Sequence, residues 1–220
     1  MSRYNYQGPL NGGYAIQDKE VTAELEDFCM STYEWKDFFA ANGVTDHRER
    51  FIETFSRWIR KSKLNVLKGL DAFPHVTQTN GTSEAFSMFM QRHSKKNFKF
   101  FRGDFMMHKV ASNHLKANWE WIFNYGQVKK GDAVIVSCPF SDTGGIKEDM
   151  HQLLDWCSQN EVPVLIDMAY FGMCYGINVN LDYPCVEEVT FSLGKSFPMI
   201  GARAGIRLQR EEIDDAVLFA

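Results

Sequence analysis

No stretch of this chain approaches the roughly 18 uninterrupted apolar residues that a membrane-crossing helix needs. Its opening residues, Met1-Ser2-Arg3-Tyr4-Asn5-Tyr6-Gln7, hold no apolar signal core. A membrane span is therefore not expected. Cysteine is sparse: Cys29, Cys138, Cys157, Cys174 and Cys185 are odd in number and form no C-x-x-C pair. That argues against a disulfide framework and against a structural zinc site. Reduced, mostly buried thiols in a cytoplasmic protein are expected instead. There is no long basic block and the net charge is −4, so neither nucleic acid nor an anionic membrane is expected as a partner. Internal repeats and low-complexity segments are also lacking. What remains is ordinary globular composition, 45% hydrophobic and 24% charged over 220 residues. That is enough for one sizeable domain, or a large domain with a small appendage.

Residues 1–17 read as an irregular arm broken by Gly8-Pro9 and Gly12-Gly13. From Asp18 to about Asn42, Val21, Leu25, Phe28, Trp35, Phe38 and Phe39 recur at helical spacing, and a second helix is expected from Asp46 to Arg60. The pattern then changes. His75–Thr79 predicts a strand, broken by Gly81, with a helix from Ser83 to about His93. Phe98–Phe101 predicts another strand, and residues 108–124 predict an aromatic-rich helix ending near Gly126. Ala133–Ser137 and Val162–Ile166 read as buried strands either side of a helix over Gly145–Asn160. Val189–Phe191 and Ala204–Leu208 complete the series. Apolar strands alternating with helices predict an α/β fold, a mostly parallel sheet with helices on both faces, preceded by N-terminal helices.

In such sheets ligands sit at the carboxyl ends of the strands. Those ends carry Asn80-Gly81-Thr82-Ser83-Glu84, then Pro139-Phe140-Ser141-Asp142-Thr143-Gly144-Gly145. They continue with Asp167-Met168-Ala169-Tyr170 and Ser192-Leu193-Gly194-Lys195-Ser196-Phe197, and Arg203 stands eight residues past the lysine. Singly, each has an ordinary reading. Gly81-Thr82-Ser83 can cradle a phosphate at a helix start or be a plain cap. Asp167 can be a turn residue, Lys195 a solvated lysine and Arg203 a surface arginine. His108 and His114 lie six apart and share no helical face well, so no metal is expected. The run Trp119, Trp121, Phe123, Tyr125 reads as core or subunit surface.

Taken in order, the segments NGTSEA (80–85), PFSDTGG (139–145), VLIDMAY (164–170) and SLGKSFPMIGARAG (192–205) resemble the class I/II aminotransferases. These are enzymes of the pyridoxal 5′-phosphate (PLP)-dependent fold type I. The resemblance covers roughly residues 70–210. It implies a PLP-binding large domain over 66–220, an N-terminal arm and helices over 1–65, and no C-terminal small domain, because the sequence ends at Ala220.

By that resemblance Lys195 forms a Schiff base with the cofactor and shuttles a proton during transfer of an amino group from an amino acid to a 2-oxo acid. Asp167 pairs with the pyridine nitrogen and Tyr170 with the ring 3′ oxygen. Ser192 and Arg203 hold the phosphate, joined by Gly81, Thr82 and Ser83, and Phe105 stacks on the ring. Ser141 stands where the family usually has asparagine, and Asp142 where it has proline. A homodimer is implied, with exposed Trp35 and Trp58 contributing. Another PLP reaction (decarboxylation, elimination or acyl transfer) is the alternative, as is a truncated PLP-binding relative without independent catalysis.

Overall fold

The computed structural model describes residues 18–30, 41–197 and 203–215. The expected arm over 1–17 and Trp35 lie outside them. Two helices open the chain, α1 (Lys19–Met30) and α2 (Ala41–Arg60). Asp18 caps α1, its carboxylate accepting the N–H groups of Glu20 and Val21 at 2.9 and 3.0 Å. There follow β1 (Val66–Lys68), β2 (His75–Thr79), α3 (Thr82–Arg92), β3 (Asn97–Phe101), α4 (Met106–His114) and β4 (Trp119–Ile122). Next come β5 (Asp132–Ser137), α5 (Met150–Gln159), β6 (Val164–Met168), β7 (Asn178–Asn180), β8 (Val186–Ser192) and β9 (Gly205–Gln209).

A seven-stranded sheet has the order β2-β9-β8-β6-β5-β3-β4. Six strands run one way; β9 runs against both its neighbours. The carboxyl ends of β2 and β8 therefore meet the start of β9, and register aligns Thr79, Gly205 and Ser192 in one row. Two rows below, Ser137, Asp167 and Thr190 align. Both faces are covered, as a mostly parallel sheet requires. On one face α2 and α5 contribute Phe55, Ile59, Leu153 and Leu154 to a core with Ile166, Met168 and Phe191. On the other, α3 and α4 pack Phe86, Phe89, Met90 and Ala111 over Phe98, Phe100, Ile135 and Leu165. All six residues of β5 are buried, which is why its sequence does not alternate. Phe55 and Ile59 are buried in the same core as the strands, so α2 is part of the body.

One expected helix is replaced. Over 108–124 the chain forms α4 only to His114, turns through Lys116 at φ 57°, and continues as the edge strand β4. The alternation Trp119-Glu120-Trp121 is a strand period: Trp119 and Trp121 both lie 6.1 Å from the Phe100 ring while Glu120 is exposed. Helix α5 starts at Met150 rather than Gly145, because Gly144 adopts φ +70° and Gly145 closes the preceding turn through its carbonyl to Phe140 N–H (2.7 Å). Helix α2 starts five residues earlier than expected. The pair β1–β7, a small parallel sheet beside the main one, was not anticipated.

Candidate active site

Alternation along β6 points Asp167 to the α3–α4 face, where it is 2% exposed. Its Oδ2 accepts the Thr82 hydroxyl at 3.3 Å and lies 3.1 Å from His108 Nε2; its Oδ1 accepts Ala169 N–H at 3.0 Å. A carboxylate this deep is held by such bonds because burial without them is costly. His108 is itself fully buried among Phe86, Phe100 and Phe105, with ring centroids at 4.9, 5.7 and 5.5 Å, and its Nδ1 has no hydrogen-bond partner among the described residues. The sequence reading missed His108 as a site residue. Its signal was the spacing from Phe105: three residues on, at the start of α4, it shares that residue's inner face.

At the other end, Gly81 has φ +78°, and a Cβ there would stand 3.1 Å from Arg203 Nη2 and 3.4 Å from Ser192 Oγ. Only glycine adopts this turn freely while leaving the hollow open. Arg203 donates from Nε to the Asn80 carbonyl (3.1 Å) and from Nη2 to Ser83 Oγ (3.2 Å). Gly81, Ser83, Ser192 and Arg203 thus form a cup at the N-terminus of α3, a place that favours anions. Thr82 is in the same turn, but its hydroxyl faces Asp167 rather than Arg203.

Between the two ends lie Lys195 and Tyr170. Lys195 Nζ is 5.8 Å from the Tyr170 ring centroid. Burial first, and then the Arg203 cation, push the Lys195 ammonium below its ordinary value, while Asp167 acts in the opposite direction. Lys195 therefore feels both ends of the site. Burial, helped by Asp167, pushes the Tyr170 phenol up, so that it stays protonated. Ser141 donates to Asp104 Oδ1 at 3.2 Å, and Asp142 folds over Gly103, its Cβ 3.1 Å from the position a Cβ on that glycine would take. Phe105 is half-buried at the start of α4.

A second missed residue is Asn65. Buried at 4% exposure, it donates to the carbonyls of Phe171 (3.1 Å) and Cys174 (2.9 Å) and accepts Ile177 N–H (3.0 Å). It thereby pins the loop that follows Tyr170. No sequence motif announces it.

The sequence model of aminotransferase class I and II matches residues 112–219, which span Asp167, Lys195 and Arg203. Over those residues, just under half of the chain, the sequence is similar to the class I/II aminotransferases. No curated protein matches it in sequence. Solved structures match in shape at low identity. One is a putative aminotransferase from Burkholderia pseudomallei (17% identity, 90% of this chain and 59% of that one, TM-score 0.62). Another is the histidinol-phosphate aminotransferase from Clostridium acetobutylicum (13%, 91% and 60%, TM-score 0.63). A third is the PLP-bound C-S lyase from Staphylococcus hominis (14%, 88% and 52%, TM-score 0.55). The chain spans about three fifths of the length of the first two. The chain shares the fold type I sheet of these structures, with Asp167 in β6 and Lys195 just past the neighbouring strand β8. Among the described residues no helix is long and apolar enough to cross a membrane, and no group of three metal-ligating side chains occurs.

Proposed function

We propose that this chain binds pyridoxal 5′-phosphate between Asp167 and the Gly81–Arg203 cup, and that it transfers an amino group from an amino acid to a 2-oxo acid. The observation that carries this is the cup itself, an arginine, two hydroxyls and a helix N-terminus around a glycine, with Lys195 responding electrostatically to it and to the buried Asp167. The donor set fits the cofactor: a cation and hydroxyls for the phosphate, a carboxylate for the ring nitrogen, and Phe105 beside His108 as an apolar wall. When bound, pyridoxal phosphate supplies an aldehyde conjugated to an electron-withdrawing ring, which stabilises negative charge at a substrate α-carbon.

The chain's residues do the rest. Asp167 would hold a proton at the ring nitrogen, and its buried bonds to Thr82 and His108 keep its carboxylate in place. Lys195 Nζ, its ammonium pushed below the ordinary value, would hold the cofactor through the aldehyde carbon with loss of water, and as a free amine would carry the proton taken from the substrate α-carbon. Tyr170, its phenol pushed up, would keep its proton and offer it in a hydrogen bond to the ring oxygen. The chain is taken to act as a homodimer, to be checked by light scattering.

Incubation with pyridoxal phosphate should give a visible absorption band, and borohydride should then fix the cofactor to Lys195, located by peptide mass mapping. Absence of the band, or a band that survives Lys195→Ala, defeats the proposal. A second reading keeps the cofactor and changes the reaction to elimination, decarboxylation or acyl transfer. It is favoured by Ser141-Asp142 standing where the family has asparagine and proline. Product analysis with a panel of amino acids separates the two, since only transamination leaves pyridoxamine phosphate. A third reading is a PLP-binding relative without turnover, which any sustained amino transfer by the purified chain rules out.

A further inference from the structure

The most heavily bonded carboxylate near the site, after Asp167, belongs to a residue that the family resemblance does not single out. Asp104 ends the turn between β3 and α4 and is 7% exposed. Its Oδ1 accepts Phe105 N–H at 2.7 Å and the Ser141 hydroxyl at 3.2 Å, and its Oδ2 accepts Ser137 N–H at 3.0 Å. Three segments are thereby joined at one carboxylate: the start of α4, the end of β5 and the 139–145 loop. Ser137 pairs directly with Asp167 in the sheet, and Cys138 N–H bonds the Asp167 carbonyl at 2.9 Å, so the junction is tied to the buried end of the site.

Two consequences follow from chemistry. First, a carboxylate only accepts, so the Ser141 proton is committed to Asp104 and Ser141 turns lone pairs, not a proton, elsewhere. Second, the three donors are neutral and no salt bridge to Asp104 forms among the described residues, so Asp104 places a negative charge behind Phe105 and Ser141. Its field is already felt by the Cys138 thiol, which burial first and Asp104 second push upward.

We propose that Asp104 is a positioning residue of the site: it locks Phe105 and Ser141 into one unit and imposes a negative field that favours the protonated form of the bound cofactor. The proposal rests on the pyridoxal phosphate reading above. The other ionisable groups facing the site are His108 on α4, Asp167 and Tyr170 at the end of β6, Lys195 after β8 and Arg203 before β9. Asp142 lies against Gly103. Of these, Asp104 is the carboxylate bonded to both the Phe105 backbone and the Ser141 side chain.

The test is a pH titration of the visible band in the full chain loaded with pyridoxal phosphate. Asp104→Asn removes the charge and nearly nothing else in volume. The midpoint at which the protonated band is lost should fall by about one pH unit, the scale of a nearby charge removed. Asp104→Glu and Ser141→Ala keep the charge and should leave the midpoint within about 0.3 units, a fraction of that scale. An unchanged midpoint in Asp104→Asn, with the band intact, overturns the proposal and leaves only a structural clamp. If Asp104→Asn does not fold, amide hydrogen exchange in the loaded wild-type chain decides. Slow exchange at both Phe105 and Ser137 supports the lock, and exchange of either at the rate of an exposed amide overturns it. A wild-type chain that shows no band at all counts against the pyridoxal phosphate reading instead, so the two failures are distinguishable.

Discussion

The two ends of the site are built on opposite principles. The Asp167 end is dry: the carboxylate and His108 are buried, and the carboxylate is bonded to Thr82 on α3, His108 on α4 and Ala169 just past β6. The cup end is open: Arg203 is exposed, Ser83 and Ser192 are half-buried, and the bonds that hold the arginine run to a backbone carbonyl and a hydroxyl, not to a carboxylate. A buried charge must be satisfied before any ligand arrives. An exposed guanidinium with no acidic partner among the described residues can exchange its contacts for an anion. One end is therefore preset by folding and the other completed by what binds.

That contrast can be broken at several points. The largest effect is expected at the dry end. Asp167→Asn keeps an acceptor for Ala169 but loses the charge proposed to meet the ring nitrogen. Affinity for pyridoxal phosphate should fall about 100-fold, or about 2.7 kcal/mol, in a fluorescence titration. A loss below about fivefold would mean the buried carboxylate does not face the ring.

Asn65→Ala removes three buried bonds from the loop after Tyr170. It should lower unfolding free energy by about 2–3 kcal/mol in urea melts, with phosphate binding at the distant cup unchanged. At the cup, Gly81→Ala imposes a side chain on a left-handed turn 3.1 Å from Arg203. It should cost about 1–2 kcal/mol of stability and weaken inorganic phosphate as well as cofactor.

Arg203→Gln should leave the thermal midpoint of the unloaded protein unchanged within error, since the residue is exposed. It should weaken phosphate binding about tenfold and flatten its salt dependence. If it instead destabilises the unloaded chain as Gly81→Ala does, the cup is structural and the contrast between the ends disappears.

The smallest effect couples the two ends. Arg203 lowers the Lys195 ammonium and Asp167 raises it. The neutral amine is the nucleophile, so wild-type Lys195 should capture aldehyde at lower pH than an ordinary lysine. Removing the Arg203 charge must move the onset of capture to higher pH, and Asp167→Asn must move it to lower pH. A borohydride-trapping profile against pH reads both signs.

Much of the sheet could be read in advance because its strands are short apolar runs between glycine and polar breaks. His75–Thr79 was bounded correctly, and five other sheet strands were found within a few residues. The failure at 108–124 has a clear cause. Met106, Met107 and Val110 on α4 are exposed, so the helix shows no clean apolar stripe, and the alternating tryptophans of β4 gave an aromatic density that suited either period. The residues that the fold gathers at the strand ends were legible wherever they belong to a local motif: Asp167, Tyr170, Ser192, Lys195 and Arg203. His108, Asn65 and Asp104 were not, because each acts through partners 33 to 112 residues away.

The sequence by itself determined which residue types stand at the strand ends and in what order, because hydrophobic period and turn chemistry are local. Only the tertiary structure decided which of them share a pole. The reversed strand β9 carries Arg203 back to Gly81, and the alternation of β6 turns Asp167 toward Thr82 and His108. Strand order and facing are set by packing between distant segments, which local spacing does not encode.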